Sequence, residues 1–66
     1  MDRNKITYTY VIEQVEYPGR YYANAHKDFK PYMWATYYMT EERALQEIAN
    51  KDLENVMLTK VLNPKV

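Results

Sequence analysis

The chain has 66 residues, nine basic against nine acidic, with eight tyrosines, one histidine, a single glycine and no cysteine. A chain this short forms one domain, 1–66, and buries only about 60% of the surface its unfolded form exposes, so self-association as a homodimer is a live expectation. The balanced charge argues against a general electrostatic nucleic-acid binder, and the absence of cysteine removes disulfides and thiolates and fits a reducing cytoplasm.

In chain order, Asp2 to Asn4 reads as a frayed start, and Met1 to Lys5 is too short and polar for a signal peptide. No apolar run approaches the roughly 20 residues of a membrane span, so a soluble, cytoplasmic protein is expected. Lys5 to Glu16 alternates, with Ile6, Tyr8, Tyr10 and Ile12 on one face and Thr7, Thr9, Val11 and Glu13 on the other, which predicts a half-buried strand. Tyr17-Pro18-Gly19-Arg20 supplies proline where a turn wants its fixed φ and the one glycine where positive φ is needed, as in a type II turn. Arg20 to His26 predicts a short second strand, and the charges and proline of Lys27 to Pro31 predict a loop. Tyr32 to Met39 predicts a third strand with no polar face: Tyr32, Trp34, Thr36 and Tyr38 on one side, Met33, Ala35, Tyr37 and Met39 on the other.

Thr40 before Glu41 and Glu42 places a hydroxyl acceptor at a helix cap and carboxylates in the first turn, where the dipole favours negative charge. Ala44, Leu45, Ile48 and Ala49 form an apolar stripe at the helical period, with Glu42, Arg43, Gln46, Glu47, Asn50 and Lys51 outward. Asn50 and Asp52 bring the turn chemistry that stops the helix. Asn55 to Leu62 changes to period two, Val56 and Leu58 on one side and Met57, Thr59 and Val61 on the other, and Pro64 ends it. That segment is expected to be a well-buried last strand. The order β-β-β-α-β predicts an α+β domain, a single antiparallel or mixed sheet with one helix packed on one face over Ile6, Tyr8, Tyr10, Ile12, Val56 and Leu58. The opposite face would keep several aromatics uncovered, and such a patch marks an interaction surface.

The catalytic signatures are absent. One histidine without cysteine offers no metal-ligand set, Gly19 alone makes no phosphate-cradling loop, and serine is missing altogether. The reading is a non-enzyme with no metal and no cofactor, His26 being a surface or interface histidine. Two binding functions remain. One is a small inhibitor or adaptor that contacts a partner protein through Tyr21, Tyr22, His26, Phe29, Tyr32 and Trp34, the Tyr and Trp types that anchor interfaces. Glu42 and Glu47 would add charge that mimics nucleic-acid phosphates in a basic groove, as a DNA mimic does. The alternative is a single-stranded nucleic-acid-binding module in which bases stack on Tyr21, Tyr22, Tyr32 or Trp34 while Arg20, Lys27 and Lys30 touch phosphates; direct nucleic-acid binding ranks lower because the charge is thin.

Gly19-Arg20-Tyr21-Tyr22 followed by His26-Lys27, then a helix and the closing Leu58-Thr59-Lys60-Val61-Leu62, resembles the small uracil-DNA glycosylase inhibitors of podophages that infect bacilli. The resemblance covers about half the chain in short pieces. This sequence has Phe29 to Met39 in addition, carries only Leu45 where those helices bear an aromatic plug, and is not acidic overall. What the resemblance implies is a phage host-takeover protein in the cytoplasm of a host bacterium, blocking the DNA-binding groove of the host glycosylase. A phage-type inhibitor of a defence nuclease such as a CRISPR effector would share these features.

Overall fold

The alternation that predicts a first strand does form one. The computed structural model describes residues 8–62, and there β1 runs Tyr8–Gln14, β2 Tyr21–Ala23, β3 Asp28–Lys30 and β4 Val56–Leu62. They make one antiparallel sheet in the order β3-β2-β1-β4. A single helix, α1 (Glu41–Lys51), lies between the third and last strands in sequence, so the α+β class and the β-β-β-α-β order are as expected. β1 is the spine. It pairs with β4 along its whole length, from Tyr8 opposite Leu62 to Gln14 opposite Val56, but with β2 only at Glu13 opposite Tyr21. Gly19 takes φ 92° and Arg20 N–H donates to the Tyr17 carbonyl at 3.1 Å, the closed turn that Pro-Gly predicts.

The middle of the chain differs from expectation. β2 stops at Ala23, because Asn24 to Lys27 turn, with Lys27 at φ 54°. The predicted loop Lys27 to Pro31 holds β3, and the predicted strand Tyr32 to Met39 is no strand. Pro31 has no N–H to give to a ladder but a free carbonyl, which accepts from Trp34 N–H at 2.9 Å while Tyr32 accepts from Ala35 N–H at 2.9 Å. The result is a 3-10 turn, Tyr32–Trp34. The chain then runs extended into the fork where β2 leaves β1. Thr36 N–H donates to the Tyr22 carbonyl at 3.1 Å, and Tyr38 exchanges two bonds of 2.8 Å with Tyr10. These backbone groups would otherwise lack partners, and the extended segment supplies them.

The helix-facing side of the sheet carries Tyr10, Ile12, Tyr22, Phe29, Val56 and Leu58. Ile12, Tyr22 and Ala44 are buried at its centre, and Tyr38, Ile48 and Leu53 pack around them. Of the predicted row, Tyr8 is exposed and Ile6 lies outside the described residues. Two packing expectations are corrected. Only Ala44 and Ile48 of the helical stripe point inward: Leu45 and Ala49 are exposed, and Glu47 turns partly in. The helix rests on its smallest side chain, Ala44, which rotates the contact line towards Glu47 and away from Leu45. β4 is not well buried either, since the strand order leaves it at the sheet's edge and none of its residues is buried.

Capping follows expectation. Thr40 Oγ1 accepts Arg43 N–H at 3.1 Å, with Glu41 and Glu42 in the first turn and Lys51 in the last. At the other end Asp52 takes left-handed backbone, φ 55°, and its N–H reaches the Ala49 carbonyl at 3.3 Å while Leu53 N–H reaches Ile48 at 3.0 Å. This is a Schellman ending, with Ile48 and Leu53 both packed against the core. Because only glycine adopts left-handed backbone without strain, Asp52→Gly should raise stability by about 0.5–1 kcal/mol, a gain of a few degrees in Tm. A thermal melt that fell instead would show that the Asp52 side chain contributes more than its backbone strain costs.

Candidate protein-interaction site

The side of the sheet away from the helix is also filled, and one carboxylate organises it. Glu13 is buried on that face. Its Oε2 accepts Gly19 N–H at 3.1 Å and its Oε1 accepts the Thr59 hydroxyl at 2.8 Å. Tyr21, opposite Glu13 in register, holds its phenol above the ordinary range through burial first, then through the Glu13 charge and the hydrogen bond to it, then through Tyr32. One side chain thus ties β1 to the turn, to β4 and to β2.

From Tyr21 a chain of rings crosses the same face. Tyr21 meets Tyr32 edge-on at 5.2 Å between centroids, and Tyr32 meets Tyr37 at 6.0 Å. Hydrogen bonding with Tyr32, then burial, pushes the Tyr37 hydroxyl up to about 12. Edge-to-face pairs add about 0.5–1.5 kcal/mol each beyond area burial, so the rings hold one another in place. Thr9, Val11 and Ala23 on this face are buried. The 3-10 turn is fastened as well: Ala35 after it is buried, and Thr36 Oγ1 accepts Asn24 N–H at 2.7 Å.

That anchoring leaves a rigid exposed surface at the turn. Met33 is 81% exposed and Trp34 53%, Tyr32 is also exposed, and His26 stands edge-on to the Trp34 indole at 5.2 Å. Of the residues expected to make contact, Tyr32, Trp34 and His26 come together here, with half-buried Tyr21 behind them. Tyr22 does not. It is 3% exposed and packs in the core against Phe29 at 5.5 Å, because register sends it to the helix side while its neighbour Tyr21 goes to the other. Phe29 is half-buried and walls an open recess of about 240 Å³ with Gln14, Tyr17, Arg20 and Asp28.

The two acidic candidates separate. Glu42 is exposed in the first helical turn, but Glu47 is partly buried, its Oε2 without a hydrogen-bond partner among the described residues. The same holds for the Tyr38 hydroxyl, whose ionisation is pushed well above the ordinary range by burial, then by the Glu47 carboxylate, then by Tyr22. Glu47 is therefore no part of an exposed acidic face. Sequence reasoning missed Met33, whose signal was its place between Tyr32 and Trp34 in a stretch with no polar side; a strand would have sent it to the other face, whereas a tight turn exposes all three.

Among the described residues no group of three or more His, Cys, Asp or Glu side chains is placed to hold a metal ion, and no helix is long and apolar enough to cross a membrane. Compared with known proteins, the chain matches no family model, no curated protein and no solved structure.

Two predictions follow from the polar contacts. Glu13→Ala leaves the Gly19 N–H and the Thr59 hydroxyl without their acceptor and should cost roughly 2–4 kcal/mol, lowering Tm by about 10 °C or more; a loss under about 1 kcal/mol would remove Glu13 from its organising place. Tyr38, with its folded pKa above the unfolded value near 10, contributes stability that is complete below that pH and lost as pH rises past it. Tyr38→Phe deletes a buried unpaired hydroxyl, so it should hold or raise stability at neutral pH and move the alkaline unfolding midpoint upward; melts across pH 7–12 measure both, and an earlier alkaline midpoint would contradict this assignment.

Proposed function

We propose that this chain is a small non-catalytic binding protein of the phage inhibitor type. It docks on a host protein, in the first instance a nucleic-acid-processing enzyme, and blocks it. The observation that carries this reading is the braced surface of Tyr32, Met33, Trp34 and His26. On a turn whose backbone is already fastened, the exposed Trp34 indole, with few rotatable bonds, loses little conformational entropy on binding, which is what makes such rings effective interface anchors. The resemblance of Gly19 to Tyr22 and Leu58 to Leu62 to the podophage inhibitors supports uracil-DNA glycosylase as one target, and an inhibitor of a defence nuclease such as a CRISPR effector would share the same sequence features. Docking through the turn needs no mimicry of phosphates, which suits a neutral chain whose Glu47 is turned inward.

The single-strand reading keeps one specific support: Lys27 and Lys30 lie just before the turn in sequence, and the rings of Tyr32 and Trp34 are exposed. Stacking of bases there would be lost steeply as salt rises, whereas apolar docking would not.

The test is inhibition of purified uracil-DNA glycosylase and of a purified CRISPR effector nuclease, with Trp34→Ala and Met33→Ala compared with the unmodified chain. Because both side chains are largely exposed, each variant should keep its circular dichroism while Trp34→Ala weakens binding by at least about tenfold, the size expected of an anchor. Inhibition that survives both substitutions would exclude the turn as the contact surface. Binding to single strands at low salt that vanishes at high salt would instead favour the second reading.

A further inference from the structure

The helix is held to the sheet far more lightly than the strands are held to one another. Of the eleven residues of α1 only Ala44 is buried; Glu47 and Ile48 are half-buried and the remaining eight are exposed. Among the described residues no hydrogen bond crosses from α1 to a strand. Two polar atoms at its contact line, Glu47 Oε2 and the Tyr38 hydroxyl, are shut from water without a hydrogen-bond partner, so closing the helix onto the sheet costs them their hydration. The sheet has other cover. Of the eight buried residues among those described, Thr9, Val11, Glu13 and Ala23 lie on the face away from α1, under rings that do not touch the helix.

Both ends of the helical segment are fastened to the first strand and its extension. Tyr38 exchanges two backbone bonds of 2.8 Å with Tyr10, and the Asn55 carbonyl accepts Val15 N–H at 2.9 Å. Between these anchors Met39 to Glu54 forms one loop of chain that carries α1. At its far end Asp52 and Asn55 both take left-handed backbone, φ 55°, which residues with a Cβ adopt at a cost that an opened chain does not bear. An eleven-residue helix is marginal in water on its own, so once lifted from the sheet α1 melts.

We propose that α1 is a lid: Met39 to Glu54 opens as a unit while the sheet, the extended segment Ala35 to Tyr38 and the aromatic turn keep their structure. Opening returns Glu47 to water and uncovers Ile12 and Tyr22, the strip that Ala44 covers. The turn is insulated from this motion. Tyr32 is braced by Tyr21 and Tyr37 on the other face, and the Tyr10 to Tyr38 bonds lie between the turn and the helix. The lid therefore stands whether or not the proposed function does.

Native-state hydrogen exchange followed by NMR in low urea tests it. In the unmodified chain the amides of Leu45 to Asn50 should be protected at least about tenfold less than those of Tyr10 and Tyr38, and their protection should fall less steeply with urea, because the partial opening exposes less surface. Thr59→Val supplies the second readout. It removes the hydroxyl that Glu13 accepts, a contact present whether the lid is open or closed. Protection at Tyr10 and Tyr38 should then drop by about tenfold while that of Leu45 to Asn50 stays within about twofold. Equal protection with equal urea dependence across all these amides, or a parallel drop in Thr59→Val, would overturn the proposal. Should Thr59→Val not fold, the urea dependence of the unmodified chain decides alone.

Discussion

The hydrogen bonding of one buried carboxylate sets the arrangement of everything around it. Glu13 accepts from Gly19 and Thr59 and engages Tyr21, which places the turn, the edge strand and the second strand relative to β1 at a single point. A buried charge stabilises only where its oxygens are partnered, and here each oxygen has a donor, the Gly19 backbone N–H and the Thr59 hydroxyl. The same contact pins register. A slip of β1 by one residue would carry Glu13 to the helix side, into the place of Ile12 beside Tyr22 and Ala44, and would bring Ile12 into the place of Glu13.

With registration fixed, a short chain manages to cover both faces of its sheet. The helix, resting on Ala44, covers one. The other is covered by rings rather than by a second layer of secondary structure, Tyr21, Tyr32 and Tyr37 lying edge to face across strands whose small and polar residues would otherwise be wet. Aromatic side chains suit this use, since each removes a large area from water with few rotatable bonds to fix. The cover has an outer margin, and at that margin Met33 and Trp34 are left over. The proposed contact surface and the structural roof are parts of the same row of side chains.

What could be read from the sequence was what local chemistry decides. Thr40 with Glu41 and Glu42, the Pro18-Gly19 turn, the alternation of β1 and the two faces of β4 all report on neighbours within a few residues. Tyr32 to Met39 could not be read that way. With apolar side chains at nearly every position its pattern fits several backbones, and the choice is made by distant groups: the Tyr22 carbonyl and both backbone groups of Tyr10. The opposite fates of Tyr21 and Tyr22 depend likewise on register, not on residue type. The exposure of β4 depends on strand order, which no local pattern encodes. Glu47 looked like an outward charge because helical period alone cannot locate the contact line when the smallest residue, Ala44, defines it.

The wedge of Ala35 to Tyr38 between β1 and β2 bears on how the molecule forms. The first hairpin shares only Glu13 and Tyr21 as a ladder pair, so it gains little until a segment from later in the chain arrives, and the long ladder from Tyr8 to Gln14 waits for residues at the far end. Loop closure must precede most of the reward, which makes assembly slow for the chain's size and strongly concerted. Amide protons at Tyr10 and Tyr38, which bond each other's residue, should then exchange with solvent only when the whole domain opens, so that a single pair of tyrosines records the global unfolding equilibrium.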